Sequence, residues 1–114
     1  MSKPTREQLT QFWRWCGFED KWEDTRRLYL VQWQYPDGQK RAKLPAVSLN
    51  SLFKWAVPKV RALHGIDMCT ASVTDDGWYV VLGRNVWGDI APRAEVEDED
   101  LVSALFWAIW QVIE

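Results

Sequence analysis

Tryptophan is the residue type that most constrains this chain, because nine of its 114 residues carry an indole side chain. Each indole buries about 150–250 Å² when it is covered, and it brings one N–H group that requires a hydrogen-bond partner. A chain with this content must build an unusually aromatic core, expose aromatic side chains on its surface, or do both. The tryptophans therefore have to be placed on the predicted helices and strands.

The length and composition are those of a globular protein, and we expect a single domain over residues 1–114. Hydrophobic residues make up 47% of the chain and charged residues 26%, which is typical of globular domains. No apolar run approaches the roughly 20 residues that span a bilayer, and the first residues lack the apolar stretch of a signal peptide. We therefore expect a cytoplasmic protein that does not enter a membrane.

Three segments carry apolar residues at helical spacing, which predicts helices over residues 5–16, 48–64 and 97–113. Pro58 lies inside the second segment, where the missing backbone donor predicts a kink or a break. Two pairs of β-rich segments lie between the helices and predict two hairpins, one around Asp37-Gly38 and one around residues 74–77. Residues 84–97 fit either a loop or a short edge strand.

The predicted order of elements is α-β-β-α-β-β-α. Hairpins separated by helices favour an antiparallel sheet, because parallel strands would each need a crossover connection. We therefore expect an α+β sandwich in which an antiparallel sheet of about four strands packs against three helices.

The first hairpin has two possible registers, which place Trp33 differently. With Asp37-Gly38 as a two-residue loop, Trp33 lies opposite Ala42, and apolar and polar side chains alternate cleanly between the two faces. With a type I turn over Pro36-Asp37 and a bulge after it, Trp33 lies opposite Arg41. The cleaner alternation favours the first register.

Two sequence segments resemble those of small phage and prophage proteins, among them the phage α-β-α sandwich family. They are LPAVSLNSLFKWAVPK at residues 44–59 and, after a hairpin, ALFWAIW at residues 104–110. The resemblance rests on packing motifs, and it does not extend to the FWRWC sequence of the first predicted helix. It implies a compact α/β sandwich and a bacterial or phage origin, and it carries over no catalytic residue.

The residue types that carry catalysis are few and scattered. The chain has one histidine, His64, and two cysteines, Cys16 and Cys69, with none of the spacings typical of zinc ligands. It lacks the glycine-rich loops that bind phosphate and the motif that presents a nucleophilic serine. We therefore expect no catalytic, cofactor or metal site, no enzymatic activity, and two reduced, buried thiols.

Helical projection leaves one tryptophan of each predicted helix away from its apolar face. Trp15 and Trp55 lie on flanks that a neighbouring helix can cover. Trp107 lies about 170° from the apolar face of the last helix, so another element or another chain has to cover it. We expect Trp15, Trp55 and Trp107 to be the candidate interaction surface of a non-enzymatic protein that associates with itself or with a partner protein.

The alternative function is binding of single-stranded nucleic acid through residues 26–43. Residues 1–64 carry 12 basic and 6 acidic side chains, whereas residues 65–114 carry 2 basic and 10 acidic ones. Cations attract phosphates and aromatic rings stack on bases, so the two together suit a single strand. The candidate residues are Arg26, Arg27, Trp33, Lys40, Arg41 and Lys43. In the favoured register Trp33 points to the core and only cations remain outside, which weakens this alternative.

Overall fold

The computed structural model describes residues 3–25 and 28–114, with the side chains of residues 21–31 excepted. Contacts divide the described chain into two compact units, one of Pro4–Ala46 and one of Val47–Glu114 together with Lys3. We name Pro4–Ala46 the N-terminal unit and Val47–Glu114 the C-terminal unit. Each contains helical structure and an antiparallel three-stranded sheet, so the expected α+β class is confirmed. Folding of the two units as one domain stays a prediction.

The N-terminal unit begins with helix α1, Arg6–Trp15. Thr5 caps the helix: its hydroxyl accepts a hydrogen bond from the Gln8 amide (3.1 Å), and its own amide donates to the Gln8 side chain (2.9 Å). Past the end of the helix Gly17 adopts a φ of +102°, which favours glycine. The helix predicted over residues 5–16 is thus confirmed, with Thr5 as its cap and Gly17 past its end.

Three strands follow α1 in a sheet of order β1-β2-β3. They are β1, Glu19–Thr25, β2, Leu28–Gln34, and the two-residue β3, Lys40–Arg41, and both pairings are antiparallel. β1 falls in a charged stretch that lacks the apolar alternation of a half-buried strand, and the sequence therefore gave it no strand signal.

Aromatic rings form the core of the N-terminal unit. Phe12 meets Trp13 edge to face with ring centres 5.0 Å apart, Trp13 meets Phe18 at 5.1 Å, and Phe18 meets Tyr35 at 4.7 Å. All four residues are buried. Edge-to-face pairs stabilise a core by about 0.5–1.5 kcal/mol beyond the area that they bury. Edge-to-face aromatic contacts thus contribute to the stability of this short unit.

The first hairpin takes the register that the alternation of its side chains did not favour. The Gly38 amide closes a turn over Pro36-Asp37 by donating a hydrogen bond to the Tyr35 carbonyl oxygen (2.9 Å). Trp33 consequently lies opposite Arg41, and the preferred pairing of Trp33 with Ala42 was wrong. The physical reason is that Gly38, at a φ of +89°, takes up a bulge, so turn geometry outweighs side-chain pattern here.

The C-terminal unit begins with a helical segment that changes its hydrogen-bond pattern midway. Helix α2, Leu49–Ser51, is followed by a π turn over Leu52–Ala56 and then by helix α3, Val57–His64. The Val57 amide, which follows the π turn, donates a hydrogen bond to the Leu52 carbonyl oxygen five residues before it. Pro58 lies in the first turn of α3, where its missing N–H costs little. The kink or break that was predicted at this proline takes the form of the π turn directly before α3.

The C-terminal sheet has the order β4-β5-β6. Its strands are β4, Met68–Thr74, β5, Gly77–Val86, and β6, Asp89–Asp98, all antiparallel to their neighbours. The predicted second hairpin is confirmed as β4-β5, and the ambiguous residues 84–97 form the end of β5 and most of β6. The described residues thus hold six strands in two sheets, which corrects the expected sheet of about four strands and the order α-β-β-α-β-β-α.

Helix α4, Leu101–Ile113, packs on β5, β6 and α3. Asp100 caps it, because its carboxylate accepts hydrogen bonds from the amide and the hydroxyl of Ser103 (both 3.1 Å). Six consecutive residues, 104–109, are buried, so the middle of the helix is covered on every side. No helix of the described residues is long and apolar enough to cross a membrane.

Candidate functional site

A groove on the N-terminal unit runs between helix α1 and the hairpin of β2 and β3. Its volume is about 520 Å³. We name it the aromatic–basic groove, and its lining residues are Arg6, Leu9, Thr10, Trp13, Trp33, Ala42, Lys43, Leu44 and Pro45. Two indole rings and two cations therefore border one cavity of a size that suits a small ligand or a nucleobase.

Trp33 is half-buried and borders this groove from strand β2. Arg41 lies directly opposite it on β3, so both side chains leave the sheet on the same face. From helix α1 the Arg14 guanidinium carbon lies 5.7 Å from the centre of the Trp33 ring. Arg14 also forms an ion pair with Asp20 (3.4 Å), which offsets part of its charge. The Trp33 ring is thus held beside cations from two elements.

Tyr35 anchors the chain that carries Lys43. Its hydroxyl donates a hydrogen bond to the Lys43 carbonyl oxygen (2.7 Å), and its ring is buried in the aromatic core. The Arg41 guanidinium carbon lies 5.2 Å from the centre of the Tyr35 ring. Arg41 and Lys43 are themselves exposed, so their charges face solvent from a backbone that the core holds in place.

Trp13, which borders the groove, carries a buried indole N–H. Its side chain is fully buried, and its indole N–H has no partner among the described residues. A buried donor without a partner costs about 1–3 kcal/mol and is rare in native structures.

The structure brings together three of the predicted nucleic-acid contacts and separates the others. Trp33, Arg41 and Lys43 border or flank the groove. Lys40 pairs with Gln34 and therefore projects from the opposite face of the sheet. The predicted contacts Arg26 and Arg27 lie outside the described residues.

Two cations of helix α1 were missed in the sequence: Arg6, which lines the groove, and Arg14, which lies beside the Trp33 ring. With Thr10 between them they follow an i, i+4, i+8 spacing, which places all three on one side of helix α1. That spacing was the available signal. This spacing indicates the groove only when the hairpin register is known, because strand β2 supplies the aromatic residue, Trp33, that faces helix α1.

The three tryptophans of the predicted interaction surface have different environments. Trp15 and Trp55 are half-buried, and the Lys54 ammonium lies 4.7 Å from the centre of the Trp55 ring. Trp107 is only 7% exposed and meets Phe106 and Trp110 edge to face. Other parts of the chain thus cover Trp107, and a second chain is not needed to explain it. We therefore remove Trp107 from the candidate surface.

The exposed tryptophan of the C-terminal unit is Trp87, whose orientation no periodic pattern in its segment indicates. It occupies the two-residue turn between β5 and β6, and its side chain is 99% exposed. Its φ of +56° lies in the left-handed region, which bulky residues rarely adopt. Gly88 follows it at +87°, so the pair takes the positive φ values of a type I′ turn. The missed signal was this Trp-Gly pair between two β-rich segments.

A smaller cavity of about 240 Å³ lies in the C-terminal unit. Its lining residues are Val57, Val60, Arg61, Ile66, Asp67, Met68, Cys69, Leu82 and Ile109. Cys69 is exposed, not buried as predicted, whereas Cys16 is buried. Partial burial of the thiol raises the pKa of Cys69, so it remains protonated at neutral pH and is a poor nucleophile.

Among the described residues, no three histidine, cysteine or acidic side chains lie together as metal ligands. Comparison with protein families, curated proteins and solved structures gave no match. The resemblance to phage α-β-α sandwich proteins therefore stays a prediction.

Proposed function

We propose that the N-terminal unit binds single-stranded nucleic acid in the aromatic–basic groove. The observation that carries this proposal is the register of the first hairpin, which sets Trp33 opposite Arg41 beside the groove. This was the weaker alternative for as long as Trp33 was expected to pair with Ala42. The observed pairing places a cation on the same face as Trp33, which supports the proposal.

The groove supplies each interaction that a single strand requires. Arg6, Arg41 and Lys43 are exposed cations that can contact successive phosphates. The half-buried Trp33 ring offers a face on which a base can stack, an interaction of about 1–3 kcal/mol per base.

Binding is measured by fluorescence anisotropy of a labelled oligothymidylate at about 50 mM and about 200 mM salt. We expect Arg41→Ala to weaken binding and to reduce the slope of log K against log salt by about 1, because one phosphate contact is lost. Trp33→Ala should weaken binding at both salt concentrations, because stacking is not screened.

Lys40→Ala is the matched control for Arg41→Ala. It removes a neighbouring cation of the same strand from the other face of the sheet, so it changes net charge equally without touching the groove. Equal losses for the two variants would show that only general charge attraction is involved. Absence of binding at the lower salt concentration would refute the proposal altogether.

A second candidate function, protein contact, is favoured by the exposure of Trp87. A fully exposed indole gains no burial energy, and a bulky residue in the left-handed region of the turn is strained. We propose on this ground that the protein associates with itself or with a partner protein. That it is a non-enzymatic, cytoplasmic protein of the phage α-β-α sandwich type is a proposal that rests on the sequence alone. Light scattering over a range of concentrations tests self-association, and a constant monomer mass would refute that part.

A further inference from the structure

The two outer edges of the C-terminal sheet differ in how they are protected against pairing with another strand. Strand β6 carries one proline and five charged residues, the devices by which natural edge strands avoid association. Strand β4 has the sequence MCTASVT, which contains neither a charge nor a proline. Among the described residues no strand covers its outer edge. One edge is therefore open to pairing and the other is closed.

The side chains of β4 alternate between small apolar residues and residues with a hydroxyl group. Cys69 lines the cavity beside α3, so Cys69, Ala71 and Val73 lie on the face that packs against the helices. Thr70 and Ser72 lie on the other face. All five are exposed, and Val73 is 75% exposed. The edge thus presents a row of small apolar side chains on one face and a row of hydroxyls on the other.

This pattern is self-complementary about Ala71. If a second β4 pairs antiparallel with the first and Ala71 faces Ala71, then Cys69 faces Val73 and Thr70 faces Ser72. Apolar side chains then lie opposite apolar ones, and hydroxyls lie opposite hydroxyls, which are favourable cross-strand pairs. Val73 of the second copy would also lie beside Cys69, at the border of the apolar cavity.

We infer that strand β4 pairs antiparallel with β4 of a second copy of this chain, about a two-fold axis at Ala71. The two three-stranded sheets then form one continuous sheet of six strands. This inference rests on the proposal of self-association and names its surface. Seven residues of strand make a small interface, so the dimer forms reversibly and at high protein concentration.

Disulfide cross-linking tests the register. In a Cys69→Ser background, Ala71→Cys brings two thiols face to face across the axis, at a Cα separation of about 4.5–5.5 Å that suits a disulfide. Ser72→Cys is the matched control, because its thiols would be displaced along the strands beyond the about 7 Å limit. We expect oxidation to give a covalent dimer with Ala71→Cys, and at least about tenfold less of it with Ser72→Cys. Equal yields would overturn the inference.

A second measurement separates this inference from self-association in general. Ala71→Lys places like charges opposite each other at the axis, so it should raise the dimer dissociation constant at least about tenfold in light scattering. The control Ala91→Lys lies on β6 and should leave dimerisation unchanged. A dimer unaffected by Ala71→Lys would refute pairing through β4 while self-association stands. A wild-type monomer at every concentration would refute both.

Discussion

At the scale of single residues, Trp87 combines full exposure with a backbone conformation that suits another residue type. Its φ of +56° is common for asparagine and glycine, and Asn-Gly is the preferred pair of a type I′ turn. We expect Trp87→Asn to raise the free energy of unfolding by about 0.5–1 kcal/mol, measured by urea denaturation, because no packing is lost at a 99% exposed side chain.

Trp87→Val is the control, because a branched side chain tolerates the left-handed region less well than asparagine does. If valine proves as stabilising as asparagine, exposure of the indole and not backbone strain dominates at this position. A stability gain with asparagine would indicate that the tryptophan is kept for contact with a partner, at some loss of stability.

At the scale of elements, Asp100 determines where helix α4 begins. Its carboxylate accepts hydrogen bonds from the amide and the hydroxyl of Ser103, and α4 forms the buried centre of the C-terminal unit. We expect Asp100→Ala to lower the free energy of unfolding by about 1 kcal/mol in urea denaturation, since an exposed helix amide loses its partner. Asp100→Asn should be nearly neutral, because asparagine caps helices equally well. If both variants lower the free energy of unfolding equally, the negative charge of Asp100 and not its hydrogen bonds stabilises the start of α4.

The helices were more predictable than the strands. Local signals mark the ends of α1, which are the capping box of Thr5 and the Gly17 stop. The acidic run predicted a start of the last helix at residue 97, whereas α4 begins after Asp100 and residues 97 and 98 end β6. Strands β1 and β6 depend on pairing with a neighbour that no local pattern reveals, and both are rich in charged residues. The same limit applies to the groove, because its lining combines a helix with the hairpin facing it.

At the scale of the whole molecule, the separation of charge predicts opposite effects of salt on the two proposed functions. The C-terminal unit carries 10 acidic and 5 basic side chains, so two copies repel each other and salt should strengthen dimerisation. Nucleic-acid binding by the groove cations should instead weaken as salt rises. Light scattering and oligonucleotide anisotropy on the same samples measure both. If dimerisation and oligonucleotide binding both weaken, or both strengthen, as salt rises, one charged surface governs both processes.

The sequence by itself determined the α+β class, the three helical segments, the second hairpin and the aromatic character of the core. These follow from hydrophobic period, capping residues and turn residues, which act within a few neighbours along the chain. Only the tertiary structure decided the register that joins Trp33 to Arg41, the burial of Trp107 and the exposure of Trp87. Turn geometry and packing between distant segments fix those features, so no periodicity within one segment encodes them.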